Sequence, residues 1–136
     1  MAFFLDEPAA ADVEAILRGA QGSTISALNL AEVVDVMARI FERPPNRTLD
    51  ALAFLEHAGL RVMAVDAEIG LAAGALHARH YDRQTSPLSM ADCVALATAM
   101  QLREPLATSD PPLALAAQVE EVRIVALPDS KGRRPL

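Results

Sequence analysis

Alanine-rich stretches with helical spacing alternate along the chain with short runs of β-branched residues, and this alternation strongly constrains the fold. The strand candidates are residues 23–25, residues 60–65, the segment "PLATSD" that ends at Asp110, and residues 122–127. Strands separated by helices favour an α/β domain in which a mainly parallel sheet is flanked by helices.

Capping residues, glycines and prolines mark the ends of the predicted helices. Ser26, Asp66 and Ser89 are expected to be N-caps, and residues 79–87 are expected to form a polar loop. The predicted helices are residues 7–20, 27–41, 46–58 and 67–78, one that begins after Ser89, and a short one over "PPLALAA".

The length of 136 residues, with 52% hydrophobic content, predicts a single domain over residues 1–136 with a sizeable core. Residues 128–136 are expected to form a mobile, basic tail. No apolar run reaches the roughly 20 residues that cross a bilayer, and no basic region precedes the short apolar stretch at the N-terminus. Because Cys93 is the only cysteine, neither an intrachain disulfide nor a zinc site of paired cysteines is available. We therefore expect a soluble, cytoplasmic protein.

The formal net charge of −6 argues against binding nucleic acid through overall charge. Contacts with phosphate would have to come from a local patch, because the chain as a whole repels a polyanion. His77 precedes the polar loop and His80 lies at its start, and both could contact phosphate. The arginines form two clusters in the sequence, although such arginines are more often solvated than functional. The clusters are Arg39, Arg43 and Arg47, then Arg79 and Arg83.

Asp92 lies three residues after Ser89, one turn into the apolar segment "LSMADCVALATAMQL". A carboxylate at this position helps a helix begin, because it faces unpaired backbone N–H groups and the positive end of the helix dipole. The residues at i+3 and i+4, Ala95 and Leu96, offer it no basic partner. A helix cap and a role in a binding site are both open.

Glu32 and Asp110 are two further acids of interest. Glu32 has the apolar residues Leu28 and Val36 four positions away on either side, whereas Asp35 has Arg39 as an ordinary surface partner. A solvated helix face is the usual environment of such a glutamate. Asp110 precedes a proline and can be an N-cap, but it also ends a predicted strand. The carboxyl ends of parallel strands are where α/β sheets place their sites.

Taken together, Glu32, Asp92 and Asp110 fit a site for a hard divalent cation. Mg²⁺ and Mn²⁺ are bound through several carboxylate oxygens. Zinc is disfavoured because no histidine lies near these acids and because Cys93, in its apolar sequence context, is expected to be a small core residue. Such a site can activate water and hold a phosphodiester for in-line attack.

These motifs resemble those of the PIN-domain ribonucleases, in particular the VapC toxins of toxin–antitoxin pairs. "ISALNLAEVVDVM" is similar to the family segment that carries an acidic glutamate, here Glu32. "LSMADCVALATAMQL" and "PLATSD" resemble the segments that carry the following aspartates, here Asp92 and Asp110. "FFLDEPAAADVEAIL" looks like the first helix of the family, so the resemblance covers nearly the whole chain.

The resemblance implies a PIN-like three-layer fold and a Mg²⁺- or Mn²⁺-dependent endoribonuclease toxin that hydrolyses RNA. It also implies a homodimer held inactive by a VapB-like antitoxin. Glu32, Asp92 and Asp110 would hold the metal, and Thr108 or Ser109 would orient a ligand or water.

The sequence departs from the family pattern at its start. In the family, a central first strand ends in a further aspartate just before the first helix. Here Met1 already falls inside the family's first helix by this resemblance, and neither Asp6 nor Asp12 stands in the matching place. We expect an N-terminally truncated version whose sheet lacks the first, central strand, which leaves costly unpaired backbone groups on its neighbours. The alternative to an active enzyme is a catalytically dead module that only binds the antitoxin.

Overall fold

The computed structural model describes residues 8–19 and 22–136. The chain forms two compact units, Met1–Ala64 and Val65–Leu136. Each unit combines helices with a two-stranded parallel sheet, so the predicted α/β class is confirmed. The expectation of a single domain over residues 1–136 stays a prediction.

The described part of the first unit consists of two parallel strands and three helices. Ser23 to Ser26 pair in register with Leu60 to Met63. The side chains of Met37, Thr48 and Leu55 are buried in this unit. Its described elements are α1 (Ala10–Leu17), β1 (Ser23–Ser26), α2 (Ala27–Arg39), α3 (Pro45–His57) and β2 (Leu60–Met63).

A pair of glycines lets β1 and β2 begin side by side. Gly22 has a φ of +69°, and a Cβ atom built on it would lie 2.6 Å from the carbonyl oxygen of Gly59. The same carbonyl accepts a hydrogen bond from the Ser23 N–H at 3.2 Å. A residue without a Cβ therefore suits position 22 on both conformational and steric grounds.

The second unit places α4 and α5 against each other and continues into a β–α–β crossover. Leu106, Ala107 and Thr108 pair with residues 124–126 in parallel. Its elements are α4 (Ala67–His80), α5 (Met90–Leu102), β3 (Leu106–Thr108), α6 (Pro111–Val119) and β4 (Ile124–Ala126). Buried apolar side chains of its helices include Ile69, Ala73, Leu76, Cys93, Leu96, Ala97, Ala114 and Ala117.

All three predicted N-caps are confirmed. The side chains of Ser26, Asp66 and Ser89 accept hydrogen bonds from the backbone N–H three residues further on, at 2.9 to 3.1 Å. Such bonds satisfy N–H groups that have no partner within the helix. The start of a helix was therefore predictable from local sequence.

The ends of several elements differ from the prediction. Strand 60–65 stops at Met63 because its partner β1 is only four residues long, and strand 122–127 shortens to Ile124–Ala126 against the three-residue β3. The helix after Asp66 continues to His80, which moves residues 79–80 out of the predicted loop. The first helix is shorter than predicted, because Ala10–Leu17 is helical whereas the described residues 8–9 and 18–19 of the predicted range are not. Residues 7 and 20 lie outside the described residues, as does Asp6. The predicted loss of a first strand concerns the chain before residue 8, which also lies outside the described residues.

Among the helices that the structure describes, none is both long enough and apolar enough to cross a membrane.

Candidate functional site

Asp92 completes a capping box at the start of α5. Its Oδ2 accepts hydrogen bonds from the backbone N–H of Ser89 at 2.8 Å and from the Ser89 hydroxyl at 2.7 Å. The Asp92 N–H donates in return to the Ser89 Oγ at 3.0 Å. The capping role that the sequence suggested is therefore present, and one carboxylate oxygen carries all of it.

Asp110 caps α6 in a similar way. Its Oδ1 accepts a hydrogen bond from the Leu113 N–H at 2.8 Å, and its own N–H donates to the Thr108 hydroxyl at 3.0 Å. Thr108 is buried at the end of β3, whereas Asp110 is exposed. The Thr108 hydroxyl thus positions the backbone of Asp110, while the role expected of Thr108 or Ser109 toward a ligand stays a prediction.

Each cap leaves one oxygen of its aspartate available. Within the described part of the chain, no hydrogen bond or ion pair engages Asp92 Oδ1 or Asp110 Oδ2. A carboxylate can bridge a helix N-terminus and a cation, since each oxygen has its own lone pairs. Capping and metal binding therefore do not compete at either residue.

The path of the chain brings Asp92 and Asp110 to the same end of the second unit. Residues 103–105 connect α5 to β3, and these two elements pack together, so they run in opposite directions. Asp92 lies ten residues before Leu102, about 15 Å along the helix. Asp110 lies four residues beyond Leu106, about 13 Å along an extended chain. The two carboxylates are thus at similar heights at the carboxyl end of β3.

Glu32 lies on α2 of the first unit, where it is exposed. The surface pair predicted between Asp35 and Arg39 is confirmed, because the Arg39 guanidinium lies 3.0 Å from the Asp35 carboxylate. The hydrogen bond from Arg39 to Asp35 raises the pKa of Arg39. Among the described residues, no three histidine, cysteine, aspartate or glutamate side chains form a group that could hold a metal ion. The site formed by Glu32, Asp92 and Asp110 therefore stays a prediction.

Cys93 is a core residue, as its apolar sequence context predicted. Its side chain is buried, and burial together with the neighbouring Asp92 charge raises the pKa of the thiol. A protonated, buried thiol is a poor nucleophile and a poor metal ligand. Cys93 therefore contributes packing to α5 and no chemistry.

A cluster around Glu120 was not predicted. The Glu120 carboxylate accepts a hydrogen bond from Arg79 at 2.5 Å and lies 2.6 Å from His80 Nε2. The hydrogen bond with His80 is the main cause that lowers the pKa of Glu120. Nothing in the sequence marks partners 40 or 41 residues apart. His80, one of the two candidate phosphate contacts, is engaged here by Glu120. His77, the other candidate, stacks on Tyr81 with ring centroids 4.7 Å apart.

In a comparison with known protein families, the model described as "PIN domain" matches residues 1–118 of the chain. No curated protein matches the chain.

Proposed function

Because this chain belongs to the PIN-domain family, we propose that it is a Mg²⁺- or Mn²⁺-dependent endoribonuclease, the toxin of a VapBC-like toxin–antitoxin pair. Proteins of this family are in general nucleases that use divalent metal ions. The finer features of the proposal are the RNA substrate, the identity of the metal and the toxin role.

The observation that carries the proposal is the pair Asp92 and Asp110 at one end of the second unit. Each uses one oxygen as a helix cap and keeps the other uncommitted in the described chain. Carboxylate oxygens are the donors that Mg²⁺ and Mn²⁺ prefer. We assign Glu32 as a third ligand on the basis of the sequence pattern, and these residues together would hold the cation.

The residues of the second unit are suited to a fixed site. The capping box with Ser89 holds the Asp92 carboxylate in place before any ligand arrives, and the Leu113 N–H holds that of Asp110. The Thr108 hydroxyl fixes the backbone of Asp110. Fixed charges lose little free energy to reorganisation when a ligand binds. When bound, the cation would stabilise the charge that develops on a phosphodiester and lower the pKa of the attacking water.

We also propose that the protein forms a homodimer and binds a VapB-like antitoxin. The support is an exposed apolar surface on α3 and on the chain between α2 and α3, of a kind that often marks protein contacts. We place the protein in the cytoplasm, where RNA is present and a lone thiol stays reduced. The exposed residues of this surface are Ile40, Phe41, Leu49 and Phe54.

The direct test is an RNA cleavage assay with the purified full chain. We expect endonucleolytic products from single-stranded RNA in the presence of Mg²⁺ or Mn²⁺, and none after removal of metal with EDTA, because the carboxylates alone cannot supply the cation's charge. Return of cleavage on adding excess Mn²⁺ is the control. Intact RNA at every metal concentration would contradict the proposal and favour the catalytically dead alternative.

A further inference from the structure

The segment that follows β4 forms a compact basic turn, residues 129–134. Asp129 Oδ1 accepts hydrogen bonds from the backbone N–H groups of Lys131 and Arg133, both at 2.8 Å. The Arg133 guanidinium pairs with Asp129 Oδ2 at 2.8 Å. The backbone hydrogen bond from Arg133 is the main cause that lowers the pKa of Asp129. These contacts hold the turn together through its backbone, and the mobility predicted for residues 128–136 stays untested.

The basic turn lies at the same edge of the sheet as Asp110. Ala126, the last residue of β4, is in register with Thr108, and the Leu127 N–H donates to the Thr108 carbonyl at 2.9 Å. The Arg134 guanidinium donates back to the Ala126 carbonyl. Neighbouring strands are about 4.8 Å apart, and the two residues from Thr108 to Asp110 span at most about 7 Å. The basic turn therefore begins and returns close to the candidate site.

The basic turn concentrates positive charge on a chain whose net charge is −6. Lys131, Arg133 and Arg134 are exposed, and Asp129 pairs with Arg133. The side chain of Arg133 is 72% exposed despite its pair with Asp129, so its outer face is open to a further anion. Elsewhere in the described chain, Arg39 and Arg79 are engaged by acids at 3.0 and 2.5 Å.

We propose that the basic turn binds the phosphate backbone of the RNA strand that occupies the candidate site. Lys131 and Arg133 would contact phosphates, and Arg134 would position the turn against β4. The inference rests on the proposed function. The inference also extends the proposed function, because the basic turn follows residue 118, where the family match ends. An acidic protein needs such a local element, since binding to nucleic acid depends on neutralising phosphate charge.

The test compares two double variants that remove the same charge. Lys131→Gln/Arg133→Gln alters the basic turn but keeps the backbone hydrogen bonds to Asp129. The control, Arg103→Gln/Arg123→Gln, alters exposed arginines that precede β3 and β4, at the amino end of the sheet. Binding of a short, fluorescently labelled single-stranded RNA is followed by anisotropy, with EDTA present so that the probe is not cleaved.

We expect the turn variant to weaken binding about tenfold and to reduce the slope of log K against log salt by about 1.4, or about 0.7 for each lost phosphate contact. The control variant should stay within about twofold of the unaltered protein. Equal binding by all three proteins, equal losses in both variants, or no RNA binding by the unaltered protein would overturn the proposal.

The same proteins separate this inference from the proposed function. If the unaltered protein cleaves RNA while both variants bind equally, the inference fails and the nuclease function stands. If RNA binding depends on the basic turn but no metal supports cleavage, the inference stands and the proposed function fails.

Discussion

Replacing Asp110 or Asp92 with asparagine is expected to lower metal-dependent RNA cleavage by about a hundredfold or more. The substitution removes a negative charge from the proposed site for a divalent cation. Metal ions contribute several kcal/mol of transition-state stabilisation, and each 1.36 kcal/mol corresponds to a tenfold change in rate. The measurement is the initial rate of cleavage of a labelled RNA at saturating Mn²⁺.

Asparagine separates the chemical role of these residues from their structural role. At Asp110, the N-cap of α6, asparagine is as good a cap as aspartate. At both positions the side-chain oxygen of asparagine can accept the hydrogen bonds that Asp92 and Asp110 now accept. Asp66→Asn is the matched control, because Asp66 caps α4 through the Ile69 N–H at 2.9 Å. We expect Asp66→Asn to cleave at nearly the original rate. A comparable loss in Asp66→Asn would mean that cap stability, not metal binding, explains the effect.

The second large effect concerns stability. Leu96 is 1% exposed within the helix pair of the second unit, and Leu96→Ala is expected to lower the free energy of unfolding of that unit by about 2–5 kcal/mol. The loss combines the transfer of the removed methyl groups with the cavity they leave. Urea unfolding, monitored by circular dichroism, measures it as a shift in the midpoint.

Leu71→Ala is the matched control for this stability experiment. Leu71 lies on α4 of the same unit but is 78% exposed, so its truncation should change the free energy of unfolding by at most about 0.5 kcal/mol. If Leu96→Ala were as stable as Leu71→Ala, the packing of α5 described above would be wrong.

Local signals in the sequence were enough to predict how α2, α4 and α5 begin. Ser26, Asp66 and Ser89 cap the helices for which they were chosen, since the capping hydrogen bond joins residues only three apart. Strand ends were harder, because they depend on a partner elsewhere in the chain. The strand at 60–65 looks uniform in sequence, but the four residues of β1 limit its pairing to Leu60–Met63.

The candidate site could be predicted only in part. Asp92 and Asp110 were identified from their motifs, and the structure adds that each cap uses a single oxygen. The cluster of Glu120 with Arg79 and His80 was not predicted, because Glu120 is 41 and 40 residues away from these partners in the sequence. The basic turn was predictable as charge but not as structure, because its location depends on the pairing of β4 with β3.

Titration of the metal-free full chain with Mn²⁺, followed by calorimetry, tests most directly whether these carboxylates form a metal site. We predict saturable binding by the unaltered protein and by Asp66→Asn, and loss of that binding in the double variant Asp92→Asn/Asp110→Asn. Binding that persists unchanged in the double variant, or its absence from the unaltered protein, would contradict the account.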